Sequence, residues 1–377
     1  MKIIYVTEQI YLHGGAEKIL IQKLNYWVEK FGYDVTLITA QQKGKSPFFP
    51  VNKAVKHIDL NIDYVEGVSY FSTRNLQKLP THYQKLKERI SEIKPDAIFV
   101  LSQRIDRFFI PLAAKDFPTY FEYHTSYYGL QLGFENKSSL NKFRRFFFNK
   151  MISISENFYT KIIYLNQEEY DHFKRNNAVI IPNFYNAVEL VQRPKQNKVI
   201  SLGRLSFQKG YDLLIDAWEI VAQSEPQWKL EIYGNGENRA ALENQIVSKK
   251  LQESINLLPA TDRVNELMAE SAFYVMSSRF ETFPMVLLEA MSNRLATVSF
   301  NCPTGPASML TNGEDSILVK NGDIKELAKN ILVLIRDVSV REQMGANAAE
   351  NVKRFNAESI MEKWNRLIIA KSKTVKK

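Results

Sequence analysis

The sequence predicts an α/β protein built as two doubly wound parallel-sheet domains in tandem. Three observations point there. Short apolar runs alternate with longer amphipathic stretches along all 377 residues, as buried parallel strands and crossover helices do. The chain is too long for one ordinary core. A polar segment, NAVELVQRPKQNK at 186–198, interrupts the rhythm midway, and the rhythm then restarts.

In order, the expected strands of the first half are KIIYVT (2–7), DVTLIT (34–39), DAIFVL (96–101), PTYFEYH (118–124), KIIYLN (161–166) and AVIIP (178–182), with a helical pattern from Gly15 to about Lys30 after the first. The second half gives KVISLG, WKLEIYG, INLLP, AFYVMSS and ATVSF. Near the end, Ile360, Trp364, Leu367 and Ile368 form one stripe of an amphipathic helix. The domains are therefore expected at 1–185 and 186–355, with the helix 356–377 as a separate element.

Composition excludes several classes. With 45% hydrophobic and 24% charged residues the chain is globular, not disordered. One cysteine, Cys302, forms no internal disulfide, and no cluster of soft metal ligands occurs, so no metal is expected and a reducing cytoplasm is the simplest home. Glu8 and Gln9 interrupt the apolar start before signal-peptide length, and no run approaches the roughly 18 apolar residues of a membrane span. The net charge is +9, of which the first 186 residues carry +7. That surface suits phospholipid, a phosphorylated substrate or nucleic acid, and no nucleic-acid motif accompanies it. KSSLNKFRRFFFNKMISIS (137–155) interleaves Lys142, Arg144, Arg145 and Lys150 with Phe143, Phe146, Phe147, Phe148 and Met151. It reads equally as a helix lying on an anionic membrane and as a core helix with a charged outer face.

Three turns follow expected strands. In open α/β sheets ligands gather where strand ends feed helix N-termini, because unpaired backbone N–H groups attract anions there. HGGAEK (13–18) lets the backbone approach a ligand at Gly14 and Gly15; SLGRLSFQKG (201–210) sets Arg204 and Lys209 beyond a strand; YGNGENR (233–239) is a Gly-rich bend. Singly, each is more often a plain turn or a pair of solvated charges. Together they suit one pyrophosphate, with Arg204 as a fork and Lys209 as a point charge. SRFETFPMVLLEA (278–290) separates Glu281, in a loop, from Glu289, on the helix that Pro284 opens. Glu289 lies about 7.5 Å along the axis from Pro284. Two separated carboxylates can grip hydroxyl pairs at two places on one polyhydroxylated ligand.

These residues resemble the retaining glycosyltransferases of family 4. The E-x7-E element is Glu281 to Glu289, and SLGRLSFQKGYDLLIDAW, IYGNGENRAALE, LLPATDRV and CPTGP continue the likeness from 199 to about 330. In the first half it is confined to MKIIYVTEQIYLHGGAEK, the EYHTS region and IIPN. The resemblance implies the GT-B fold, two Rossmann-like domains facing a central cleft, with the C-terminal helix crossing back to the N-terminal domain.

The resemblance further implies that Arg204 and Lys209 hold the diphosphate, Glu289 the ribose hydroxyls and Glu281 the sugar hydroxyls. Gly234 and the backbone of Phe283, Pro284, Met285 and Val286 would line the donor. Gly15 would approach phosphate or acceptor, with Gly14 and Glu17 on the acceptor side, and His124 would stand beside the transferred sugar; read alone, His124 is more often a packed core histidine. The implied reaction moves a hexose or N-acetylhexosamine from a nucleotide diphosphate sugar, UDP-linked, to a glycan or lipid-linked glycan, with no cofactor beyond that co-substrate. The protein is expected in the cytoplasm or on the inner face of its membrane. No D-x-D occurs, in keeping with cationic side chains in place of Mg²⁺.

The chain departs from the family pattern at Arg294-Leu295-Ala296, where Gly-Leu-Pro is usual, at Ser308 in place of a glutamate, and at 312–316, where D-G-x-N-G is usual. The first departure predicts a helix without its glycine cap. Rival readings are a nucleotide-sugar epimerase on the same architecture and a non-catalytic nucleotide-sugar-binding protein. A nicotinamide dehydrogenase is disfavoured, because no G-x-G-x-x-G follows the first strand.

Overall fold

A computed structural model describes residues 1–12, 14–65, 67–70, 72–101, 104–128, 149–186 and 193–375, with side chains to residue 370. Contacts group the chain into two compact units: Met1–His124, Gln131–Pro182 and Ile360–Lys377 form the first, and Thr125–Leu130 with Asn183–Ser359 the second.

Among the described residues the first unit holds seven parallel strands, β1 (Lys2–Thr7), β2 (Asp34–Thr39), β3 (Lys56–Asp59), β4 (Ala97–Val100), β5 (Thr119–Glu122), β6 (Lys161–Tyr164) and β7 (Ala178–Ile180). Their order is β3-β2-β1-β4-β5-β6-β7. The second holds six, β8 (Lys198–Leu202), β9 (Lys229–Tyr233), β10 (Ile255–Leu258), β11 (Phe273–Met276), β12 (Thr297–Asn301) and β13 (Ser316–Lys320), ordered β10-β9-β8-β11-β12-β13. Each sheet therefore runs outward from its first strand in both directions, and strand order reverses between β1 and β4 and between β8 and β11. Beyond the carboxyl ends of those pairs a doubly wound sheet leaves its ligand crevice.

Two strands, β3 and β13, were not among the expected runs. Both lie at an edge of their sheet. β3 reads KHID with no fully buried residue, and with Ile58 alone packed against the core it has no continuous apolar run to announce it.

One face of the first sheet packs Ile4, Leu86, Ile98, Phe121 and Ile162. Its other face carries a stack, Tyr5 on Phe99 at 4.7 Å and Phe99 on Tyr120 at 4.9 Å between ring centroids. Trp364 of the helix Ala357–Val375 meets the edge of Phe99 at 5.5 Å. Ile360, Met361, Trp364 and Ile368 of that helix are all buried. In the second unit Val199, Leu230, Phe273 and Val298 from the strands meet Trp218 and Ile331 from the flanking helices.

Candidate functional site

In the second unit the turn after β8 runs through Gly203 and Arg204 into a 3₁₀ turn, Phe207–Lys209, and then through Gly210 into the helix Tyr211–Ser224. Gly210 has φ +62°, and a Cβ there would stand 2.2 Å from the carbonyl oxygen of Ser277. Only glycine lets this turn close on the loop that follows β11. Four bonds stitch the two loops: Arg279 N–H to Gln208 O at 2.7 Å, Ser277 Oγ to Lys209 O at 3.0 Å, Gln208 Nε2 to Phe280 O at 3.1 Å, and Arg279 Nη1 to Phe207 O at 2.8 Å. Arg279 also grips Asp212 with both terminal nitrogens, at 2.8 and 2.5 Å.

The stitching sets Lys209 Nζ 2.5 Å from Glu281 Oε1. Glu281 is buried, and its carboxylate also accepts from Ser278 Oγ at 2.8 Å and, more weakly, from Gln208 Nε2 at 3.4 Å. A third loop, after β12, fixes its backbone: Glu281 N–H donates to Pro303 O at 3.2 Å, and Thr304 Oγ1 donates to Glu281 O. Thr304 does so from φ +56°, a left-handed conformation unusual for a β-branched residue. Gly305 beside it leaves room for Glu281 Cβ and Pro284 Cδ, each 3.0 Å from where its own Cβ would lie. Glu281 is thus over-determined, as residues at working sites commonly are.

Arg204 is exposed, and its side chain makes no hydrogen bond or ion pair among the described residues. Gly234 packs so closely that a Cβ would fall 1.9 Å from Gly203 O, and its carbonyl accepts from Arg239 Nη2 at 2.9 Å. Pro284 is the N-cap of the helix Met285–Ser292, one residue outside the first turn, so Met285 and Val286 contribute its opening N–H groups. The Phe283 ring is spent on Phe355, 5.6 Å away between centroids. Glu289 is half-buried on the same helix.

The end of that helix is as expected in one respect and closed in another way. A glycine cap is missing, yet the closure is complete: Leu295 N–H donates to Ala290 O and Arg294 N–H to Met291 O, both at 3.0 Å, the two bonds of a Schellman motif. Arg294 takes the left-handed position itself, at φ +58°. At the third departure Asp315 is buried and accepts from Thr311 N–H at 2.8 Å.

In the first unit Gly14 is the N-cap of the helix Gly15–Glu29, and the carboxylate of Glu17 folds back over it so far that a Cβ would lie 2.2 Å from Oε2. His124 stands just beyond β5, largely buried, with Nε2 3.0 Å from Glu122 Oε2. The same oxygen accepts from Lys23 Nζ. Burial pushes the His124 imidazole below its ordinary range, the adjacent Glu122 carboxylate opposes this, and the Lys23 charge adds to it. Burial alone would push the Glu122 carboxyl up, but Lys23 and His124 together hold it below its ordinary range.

Sequence reading missed Ser278, Gln208, Thr304, Lys23 and Glu122. Glu122 had a signal, a carboxylate inside the apolar run PTYFEYH; Lys23 had none, since a lysine on an amphipathic helix ordinarily faces water.

A model described as Glycosyl transferases group 1 matches residues 186–351, and one described as Glycosyltransferase Family 4 matches residues 13–188. A Haemophilus influenzae protein named as an uncharacterized glycosyltransferase is 26% identical over 362 residues, 94% of this chain and 96% of its own length. The amylovoran biosynthesis glycosyltransferase AmsD of Erwinia amylovora is 30% identical over 220 residues, 55% of this chain and 62% of that relative. Among solved structures, Anabaena HepE in complex with UDP and glucose superposes with a TM-score of 0.78 at 20% identity, over 98% of this chain and 99% of that one. The two models between them run from residue 13 to 351, and the solved structures share the two parallel-sheet units seen here: the chain belongs to the group 1, family 4 glycosyltransferases and has the GT-B fold.

Proposed function

We propose that the protein transfers a hexose or N-acetylhexosamine from a UDP-linked donor to a glycan or lipid-linked glycan in polysaccharide or glycolipid assembly, with retention at the anomeric carbon. One observation carries the reading: a buried Glu281, held by Lys209 and Ser278 beside the strand-order reversal of the second sheet. A carboxylate fixed there accepts a pair of sugar hydroxyls. Lys209 and the exposed Arg204 meet the diphosphate as point charge and fork. Glu289 takes the ribose hydroxyls, while Gly234 and the backbone of Phe283, Pro284, Met285 and Val286 line the donor. On the first unit Gly14, Gly15 and Glu17 belong to the acceptor, and His124 to a substrate hydroxyl. Support comes from the names of relatives: the Erwinia protein is named for amylovoran biosynthesis, and HepE was solved with UDP and glucose.

In the proposed reaction the anomeric C–O bond to the donor phosphate breaks and a C–O bond to the acceptor hydroxyl forms on the same face. The departing phosphate oxygen takes the hydroxyl proton, and Arg204 with Lys209 stabilises the charge that grows on it. No step calls for a divalent metal, so EDTA leaves the rate unchanged.

A thermal-shift screen across nucleotide sugars identifies the donor, since a ligand of the native state raises the melting temperature. Proton NMR of the product then reads its anomeric configuration, and an inverted product rejects retention. Interconversion of the donor without acceptor makes the protein an epimerase. Binding with neither transfer nor hydrolysis makes it a binding protein.

We further propose a cytoplasmic protein held peripherally on an anionic membrane. No helix among the described residues is long and apolar enough to cross a membrane. Of the cations assigned to that surface, Lys142, Arg144 and Arg145 lie outside the described residues; Lys150 is exposed. Met151 and Ile154 on the helix near it, and Phe158 in the turn that follows, are exposed, apolar surface suited to acyl chains. Neutralising Arg144, Arg145 and Lys150 is expected to lower vesicle binding most at low salt.

A further inference from the structure

The first unit contains a buried cation that the proposed chemistry does not use. Lys23, on the helix Gly15–Glu29, has a side chain 1% exposed, and Glu122, on β5, is 0% exposed. Lys23 Nζ donates to Glu122 Oε2, the oxygen that also lies 3.0 Å from His124 Nε2. Glu122 Oε1 has no hydrogen-bond partner among the described residues. The ammonium lies 4.3 Å from the ring centroid of Trp364, a cation–π position. From β1, Tyr5 faces the same carboxylate; burial and Glu122 both hold its phenol protonated, and its oxygen accepts from Trp27 Nε1 at 3.3 Å. The charged groups acting on His124 are thus one carboxylate, Glu122, and one ammonium, Lys23.

A neutral imidazole carries one N–H, and the partner of that N–H decides which nitrogen keeps a free lone pair. Facing a carboxylate, Nε2 is the donor and Nδ1 the acceptor. A buried carboxylate alone beside the ring would draw a second proton onto it, making Nδ1 a donor. A cation on the far side of the same oxygen opposes that.

We infer that Lys23 is a positioning residue: through Glu122 it fixes His124 as the neutral Nε2–H tautomer and presents Nδ1 as a hydrogen-bond acceptor for a substrate hydroxyl. The inference rests on the transferase reading for its substrate, but not for its physical content. Trp364 completes the ammonium's site, so the carboxyl-terminal helix contributes to the same device.

The test uses the full chain labelled with ¹⁵N-histidine, whose ring shifts report tautomer and charge, with the His124 signal assigned by its loss in His124→Asn. At pH 7 the wild type is expected to show the neutral Nε2–H form. Lys23→Met is expected to raise the apparent His124 pKa by at least about one unit, a tenfold gain in proton affinity. Its kcat should fall most at pH 6 and recover toward pH 8, with little change in the donor KM. In the double variant Lys23→Met with Glu122→Gln the rise should disappear. A His124 titration and tautomer identical in Lys23→Met and wild type overturn the inference, as does a rise that survives in the double variant. Should Lys23→Met not fold, Glu122→Gln decides: its amide can donate or accept, so the Nδ1–H form should become populated, and an unchanged tautomer overturns the inference. Wild-type inactivity on every nucleotide sugar would reject the transferase reading, and the ring shifts would still decide the role of Lys23.

Discussion

Lys209 Nζ and Glu281 Oε1 lie 2.5 Å apart, although the residues are 72 positions apart in sequence. They descend from β8 and β11, the strands between which the order of the second sheet reverses. Arg204, on the same turn as Lys209, has no such partner among the described residues. The two cations, paired on one anion in the proposed reaction, therefore differ in what they do for the fold.

Removing them should separate the two roles. Lys209→Met leaves a buried carboxylate without its cation and is expected to cost roughly 1–3 kcal/mol of stability. Arg204→Met, on an exposed side chain, should stay within about 0.5 kcal/mol. Both should lower transfer by roughly 100-fold or more, as loss of one donor to a developing oxyanion does. Urea denaturation and steady-state kinetics on the pair check this; equal stabilities would refute the assignment of Lys209 as Glu281's partner.

Gly210→Ala combines a left-handed backbone at φ +62° with a collision against Ser277 O. The backbone term alone is about 1–2 kcal/mol, and the collision forces apart the loops that set Lys209 on Glu281. Stability and turnover should fall together. A variant with wild-type melting temperature would show that the turn has another conformation open to it.

Arg294→Gly should act in the opposite direction. Arginine pays the left-handed cost at φ +58°, and the two Schellman bonds are backbone bonds that glycine keeps. A gain of about 0.5–1 kcal/mol is expected, with turnover unchanged. A loss would mean that the arginine side chain stabilises the fold by more than its backbone costs.

The pH dependence of stability follows from His124. Its folded pKa lies below its ordinary value of 6.5, so below that pH the unfolded chain binds a proton that the folded chain refuses. Stability therefore falls as pH drops from about 6.5 toward the lowered pKa, by at most about 1.4 kcal/mol per unit. Lowering of the Glu122 carboxyl adds a further loss of the same sign at more acid pH. His124→Gln should flatten the first part of this slope in melts between pH 7.5 and 5.5, and an unchanged slope would refute it.

The fold class was legible because buried parallel strands are continuous apolar runs, and eleven of them could be read directly. β3 could not, since KHID has no apolar run; β13 could not, since its apolar core is only the three residues Ile317 to Val319 of SILVK, between Ser316 and Lys320. Glu281 and Lys209 were each visible in their motifs, but not their contact, which depends on Gly210 closing one loop on another. Ser278 and Thr304 left no trace, because serine and threonine occur in most turns. Lys23 was invisible for a stronger reason: its burial depends on Glu122 and Trp364, 99 and 341 positions away, and no local pattern records a partner so distant.

The position of the helix Ala357–Val375 bears on synthesis as well as structure. Ile360, Trp364 and Ile368 fill the core of the first unit, yet they leave the ribosome after the whole of the second. The amino-terminal unit must then wait, with Phe99 and Lys23 uncovered, while the unit behind it is made and free to fold. It follows that the first-made part of this chain is the last to be finished, and that a fragment ending at Pro182 is expected to be a substrate for chaperones and proteases.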